Sequence, residues 1–205
     1  ATGNTVWAVS SKSAVTGALV VTERYLYVPL RSGELLVFES STGKEIKRVS
    51  LGSTPSDLTL DNERLFFSAG KTVYCRHVEA PHAAPLWTYQ ADREITMPPT
   101  LVGRRLFVAD SRQKLYSLDP ETGRNLWPAV ETAAPVETPA GGDRNRVYFA
   151  DKEGVFYSFA ADTGRLRWKY SFRRAVSVPP MYFDDRVYVI TQDGTMHVFE
   201  DPGRD

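Results

Sequence analysis

The chain has a single cysteine, Cys75, among 205 residues. No internal disulfide can form, so cysteine usage leaves the redox compartment open. Neither charge is in excess: 25 Lys and Arg stand against 25 Asp and Glu. Nucleic acids and anionic membranes call for a basic surplus, which excludes a general binder of either. No apolar run approaches the ~18 residues that cross a bilayer as a helix. A stretch such as Ser13–Thr22 is uncharged, but it is too short and too polar to span. No signal-peptide pattern opens the chain, and a first residue of Ala1 fits a processed or trimmed protein. No segment keeps a 3.6-residue apolar period, so no helix is expected. The metal, nucleophile and phosphate motifs HExxH, GxSxG, the P-loop and GxGxxG are all missing.

What is present is apolar mass and a repeat. Apolar residues make up 42 % and aromatics 12 %, enough for a packed core and against disorder. A β-rich run recurs as Tyr25–Val28, Arg64–Phe67, Arg105–Val108, Arg146–Phe149 and Arg186–Val189. Its second residue falls at 26, 65, 106, 147 and 187, giving spacings of 39, 41, 41 and 40. Each run is followed, after a polar turn, by a second: Leu35–Phe38, Val73–Arg76, Leu115–Leu118, Val155–Ser158 and Met196–Phe199. Gly33, Gly70, Gly154 and Gly194 sit in four of these turns, as tight hairpins require. A Thr-Gly turn follows in three copies, at Gly43, Gly123 and Gly164. Trp127 and Trp168 stand four residues after the last two, whereas Lys47 takes that place in the first copy. The second repeat keeps Trp87 but has lost the Thr-Gly turn.

Four short strands per ~40 residues make one propeller blade. The expected fold is an all-β propeller of about five four-stranded blades in one domain over residues 1–205. The blades fall near residues 10–50, 51–90, 91–131, 132–171 and 172–200. The last blade stops after its third strand. Thr5–Val9 carries Trp7 where other blades carry their tryptophan, so strand 5–9 is expected to complete the last blade and close the ring. The alternative is a fragment of a larger ring. Trp7, Trp87, Trp127 and Trp168 are read as blade-to-blade packing, since a tryptophan at a fixed place in a repeat is core. The end, Asp201–Asp205, reads as a frayed tail.

The segments Leu118–Trp127 and Phe159–Trp168 resemble the tryptophan-docking repeat of pyrroloquinoline-quinone-like propellers. That likeness covers nearly the whole chain. It is specific in two repeats, partial in two and truncated in the fifth. The family holds quinone-dependent dehydrogenases and non-enzymatic members. The latter include a lipoprotein of outer-membrane β-barrel assembly and sensor domains of envelope proteins. The resemblance implies a dehydrogenase only with a longer, eight-bladed chain, often with a vicinal disulfide that one cysteine cannot form. The expected function is therefore a non-catalytic, protein-binding scaffold of the bacterial envelope, periplasmic or outer-membrane-associated and monomeric, with no cofactor and no metal. A ligand-sensing domain of a larger receptor is the alternative.

The remaining reactive residues read as structural. His77 and His197 fall in strands, His82 in a solvated turn, and Cys75 as a buried filler. Asp151–Gly154 and Asp193–Gly194 have the look of calcium loops, yet hairpin chemistry accounts for them. The partner is expected on the face formed by the hairpin turns and the connections between blades. That face gathers Arg31, Arg93, Arg112, Lys152, Arg173 and Arg174, with Phe172 beside the last two.

Overall fold

Runs of β-branched and aromatic residues, broken by polar turns, fold into five antiparallel sheets in the computed structural model, which describes residues 3–176 and 178–201. Among the described residues there is no helix. Two compact units divide the chain, residues 1–90 and 91–205.

The first unit holds two sheets. One runs β1 (Val20–Val21), β2 (Tyr25–Leu30), β3 (Glu34–Glu39) and β4 (Glu45–Ser50) in that order. The other runs β5 (Thr59–Asp61), β6 (Arg64–Ala69), β7 (Thr72–His77) and β8 (Trp87–Gln90). The sheets meet face to face through Tyr27, Leu35 and Val37 on one side and Leu65, Phe67 and Val78 on the other.

Three sheets make the second unit. The first is β9 (Ile95–Val102), β10 (Arg105–Asp110), β11 (Lys114–Leu118) and β12 (Val130–Glu131). Next is β13 (Gly141–Gly142), β14 (Arg146–Ala150), β15 (Val155–Ala160) and β16 (Leu166–Ser171). The last has three strands, β17 (Met181–Phe183), β18 (Arg186–Ile190) and β19 (Met196–Glu200). Phe107, Leu115 and Trp127 pack on Val147, Phe149 and Phe159, and Tyr148 and Phe156 pack on Val187 and Val189. Middle strands are buried on both faces, which is why β10 and β14 read as continuous apolar runs.

Each sheet is a blade of the expected β-propeller repeat, built on a hairpin of two long strands, with a fourth strand described in all but the last. Two details differ from expectation for reasons visible in the sequence. Trp127 lies outside any strand, and β12 begins only at Val130. Pro128 follows Trp127 and cannot donate to a ladder. Pro98 and Pro99 lie within β9, and the register against β10 shifts beside them. Thr5–Val9 is in no strand, so ring closure by that segment stays an expectation. Residues 202–205 of the expected tail lie outside the described residues, but Asp201 is buried rather than frayed.

Two tryptophans dock on the glycine turns that follow a blade's third strand. Trp7 lies against Gly43, and its indole N–H donates to the Ser40 carbonyl at 2.9 Å. Trp127 repeats this on the next blade of its own unit, with its ring on Gly164 and its N–H on the Ala161 carbonyl at 3.3 Å. The glycine is required twice over. Gly43 and Gly164 have φ of 72° and 70°, where a Cβ is strained. A Cβ built there would also stand 2.6 or 2.7 Å from the indole. Gly123 shares the turn geometry, with φ 70°. Blade one has Lys47 opposite Val37, where a docking tryptophan would stand. The Tyr27 hydroxyl takes over there, donating to the Val78 carbonyl.

Gly164→Ala should lower unfolding free energy by about 2 kcal/mol or more, because backbone strain and displacement of Trp127 add. Urea unfolding followed by tryptophan fluorescence would measure this, and a change within error would mean that the indole is not seated on the turn.

Candidate functional site

Turns between the long strands are held by side-chain carboxylates, and this fixes what they display. Asp110 is fully buried at the end of β10. One carboxylate oxygen accepts the Arg112 and Lys114 amides at 2.9 and 3.1 Å, and the other accepts the Tyr116 hydroxyl at 2.8 Å. Asp151 does the same one repeat later. It takes the Glu153 and Val155 amides at 3.1 and 2.9 Å and the Tyr157 hydroxyl at 2.9 Å. Tyr157 also accepts the Ala133 amide at 2.8 Å, which ties the connection leaving the preceding blade to the same turn. Burial, followed by the neighbouring carboxylate, raises both phenols; Tyr157 is pushed up to about 12. The likeness of 151–154 to a calcium loop is thus spent on closing a hairpin. Among the described residues no group of three or more His, Cys, Asp and Glu side chains could hold a metal ion.

Arg112 and Lys152 stand on these turns, and the other candidate partner residues on another hairpin or on connections between sheets. Arg31 is exposed at the β2–β3 turn of the first unit. In the second unit Arg93, Arg112, Lys152, Arg173 and Arg174 are all exposed. Asp92 draws three cations together. Its carboxyl lies below the usual range, chiefly through the hydrogen bond from Lys114 at 2.6 Å, with Arg112 and Arg93 adding. Arg174 lies 3.8 Å from Asp193. Lys152, Gln192, Ala175 and Glu137 line an open cleft of about 490 Å³. Arg173 is held at φ 55°, which turns the loop sharply at that residue. Phe172 is half-buried, with its ring 4.6 Å from His197 and 5.0 Å from Tyr170. Its principal contacts are thus inside the fold.

The other reactive residues are occupied. His77 Nδ1 accepts the Glu79 amide at 3.1 Å, leaving Nε2 toward Glu63 at 3.1 Å. Burial pushes the Cys75 thiol up to about 12, which makes it a poor nucleophile.

The polar cluster that sequence reasoning missed surrounds Asp201. Its carboxylate accepts from the Tyr148 hydroxyl at 2.7 Å and the Ser158 hydroxyl at 3.1 Å, and pairs with Arg167 at 3.3 Å. Its carbonyl accepts from the buried Arg146 guanidinium. Arg146 also stacks over the Tyr182 ring at 4.7 Å and approaches Asp185 at 3.6 Å. The signal available in the sequence was the alignment of Asp201 with Ala161 one repeat earlier, a position whose carbonyl receives a tryptophan. Asp201→Ala would leave Arg167 and two buried hydroxyls without their acceptor. Unfolding in urea should register a loss of about 3 kcal/mol, as for one partner removed from a buried pair; a loss below about 1 kcal/mol would mean that the cluster is solvated.

A family model described as "Outer membrane protein assembly factor BamB" matches residues 1–139 and 130–204. The curated BamB of Kangiella koreensis is 22 % identical over 199 residues, 91 % of this chain and 51 % of that protein. The BamB of Legionella pneumophila is 22 % identical over 189 residues, covering 87 % and 49 %. The chain therefore spans about half the length of these curated relatives. Among solved structures, BamB from Moraxella catarrhalis aligns with a TM-score of 0.58 at 15 % identity, over 97 % of this chain and 77 % of that one. The computationally designed protein Ika8 aligns with a TM-score of 0.58 at 14 % identity, over 92 % and 71 %. Both structural likenesses speak to the fold alone.

Proposed function

This chain belongs to the family described as outer membrane protein assembly factor BamB, and on that premise we propose that it is a non-catalytic, protein-binding scaffold of the bacterial cell envelope. Its place is the periplasmic side of the outer membrane, and its working form is a monomer that meets protein partners there. The observation that carries this reading is the rigid display of cations on the turns of the second unit. Arg112 and Lys152 stand on hairpins whose backbone amides are pinned by buried Asp110 and Asp151. A pinned turn presents its side chains with little ordering cost on binding. Arginine suits a protein interface through its planar fork and apolar stem.

The partner surface is centred on Arg93, Arg112, Lys152, Arg173 and Arg174 and recognises acidic segments. Asp92 and Asp193 lie among these cations and temper them. The face therefore selects by geometry as well as by net charge. Phe172 supports the loop from within. Arg31 stands on the turn of the first unit and is a separate element of the surface.

A second reading draws on the cleft beside Lys152. Its mixture of Glu137, Thr138, Lys152 and Gln192 suits a small polar ligand. A sensor of that kind would gain thermal stability from a soluble metabolite.

Arg173→Glu with Arg174→Glu tests the scaffold reading. Outer-membrane assembly proteins recovered with the wild-type domain from an envelope extract should fall about tenfold or more with the double variant at equal folding. Equal recovery would remove this face from partner binding.

A further inference from the structure

The cleft of about 490 Å³ beside Lys152 lies between the last two sheets of the second unit. Small-ligand sites occupy roughly 300–1,000 Å³, so its size is that of a site for a small molecule. Both walls follow one plan, a hairpin turn tied to the connection that enters its sheet. The Lys152 amide donates to the Pro135 carbonyl at 3.0 Å, and the Gln192 amide donates to the Ala175 carbonyl at 2.9 Å. Each turn is also closed from within, one by the Asp151 carboxylate and the other by the side chains of Thr191 and Asp193. The Thr138 hydroxyl joins the two walls, donating to the Val176 carbonyl at 3.5 Å. A cleft held in this way is formed before a ligand arrives, which leaves little ordering cost to binding.

The lining divides by chemistry. Pro139 and Pro179 bring apolar rings and no N–H, and Val176 adds to this apolar part. The polar part carries one charge of each sign. Val136 is bridged to Asp151, so Glu137 and Lys152, the next residue on each side, stand diagonally across that bridge. Both are exposed, and among the described residues neither has an ion-pair partner. Cations on neighbouring turns are paired instead, Lys114 with Asp92 and Arg174 with Asp193. The exposed side-chain amide of Gln192 can both donate and accept. Two opposite charges that face one cleft without pairing, beside an apolar wall, suit a molecule with both charges and a small apolar body.

We propose that this cleft binds a small zwitterion, an amino acid or a dipeptide. Glu137 takes its ammonium group, Lys152 takes its carboxylate, and Pro139, Pro179 and Val176 meet its apolar body. A charge-assisted hydrogen bond forms at each end, about twice as strong as a neutral one. Selection follows from the pair: an anion alone would also meet Glu137, and a cation alone would also meet Lys152. The inference rests on the ligand reading of the cleft, and the scaffold reading, which Arg173 and Arg174 test, stands or falls without it.

The test follows the amide signals of Glu137, Lys152 and Gln192 in the full chain by heteronuclear NMR while L-alanine or L-alanyl-L-alanine is added. Saturable shifts at these amides are expected with one or both, and the tighter of the two identifies the source. Propionate and alaninol each keep one of the two charges and should bind about fivefold more weakly, or not at all. Glu137→Gln and Lys152→Met should each weaken the zwitterion by about fivefold or more. Reversing both charges, Glu137→Lys with Lys152→Glu, should regain binding that either single change loses, a recovery that damage to the fold would not give. Affinity within twofold of the wild type in both single variants would overturn the proposal. So would saturable shifts with glucose and none with either zwitterion, which would leave a ligand cleft of another chemistry. No shift with any of these three probes would overturn the proposal and the ligand reading together.

Discussion

Within each unit, one carbonyl oxygen governs how a blade meets its neighbour. The peptide unit just beyond the third strand of a blade turns its C=O toward the preceding blade. That position is Ser40 or Val78 in the first unit and Ala161 or Asp201 in the second. A buried carbonyl without a donor costs about 1–3 kcal/mol. The preceding blade supplies the donor in three of them, as the phenol of Tyr27, the indole of Trp127 and the guanidinium of Arg146, and at Ser40 the indole of Trp7 does so. The requirement belongs to the backbone and recurs with the repeat. The side chain that meets it varies.

This explains which features could be read from the sequence and which could not. The five-fold repeat was legible because every blade needs two long strands buried on both faces, and those keep their apolar run at the same spacing. Trp127, Gly43 and Gly164 were legible because indole and glycine must coincide. Tyr27 was not, since it looks like any aromatic of a strand until Lys47 is seen to leave the Val78 carbonyl bare. Asp201 was hidden for a related reason: a residue between Glu200 and Pro202 reads as an end, and only its distances to Tyr148 and Arg167 reveal it as core. The Asp110–Tyr116 and Asp151–Tyr157 ties recur one repeat apart, but only the folded hairpin shows that the aspartate turns back on its own turn.

The candidate partner face follows from the same economy of backbone bonding. Because Asp110 and Asp151 satisfy the turn amides from below, the exposed cations beside them need make no internal bonds to hold the turn in shape. Phe172 was expected among the partner residues for its place beside Arg173 and Arg174. Half-buried, it also meets His197 and Phe199 of the last sheet and Tyr170 of the sheet before it.

The central claim is that a hydrogen bond to that carbonyl, rather than aromatic bulk, is what joins blades. Tyr27→Phe and Trp127→Phe keep an aromatic ring at each junction and remove the donor. Equilibrium urea unfolding of the two variants beside the wild type measures the difference. Each should lose about 1–2 kcal/mol with an unchanged denaturant slope. Losses within about 0.3 kcal/mol for both would contradict the account and leave packing alone as the force between blades.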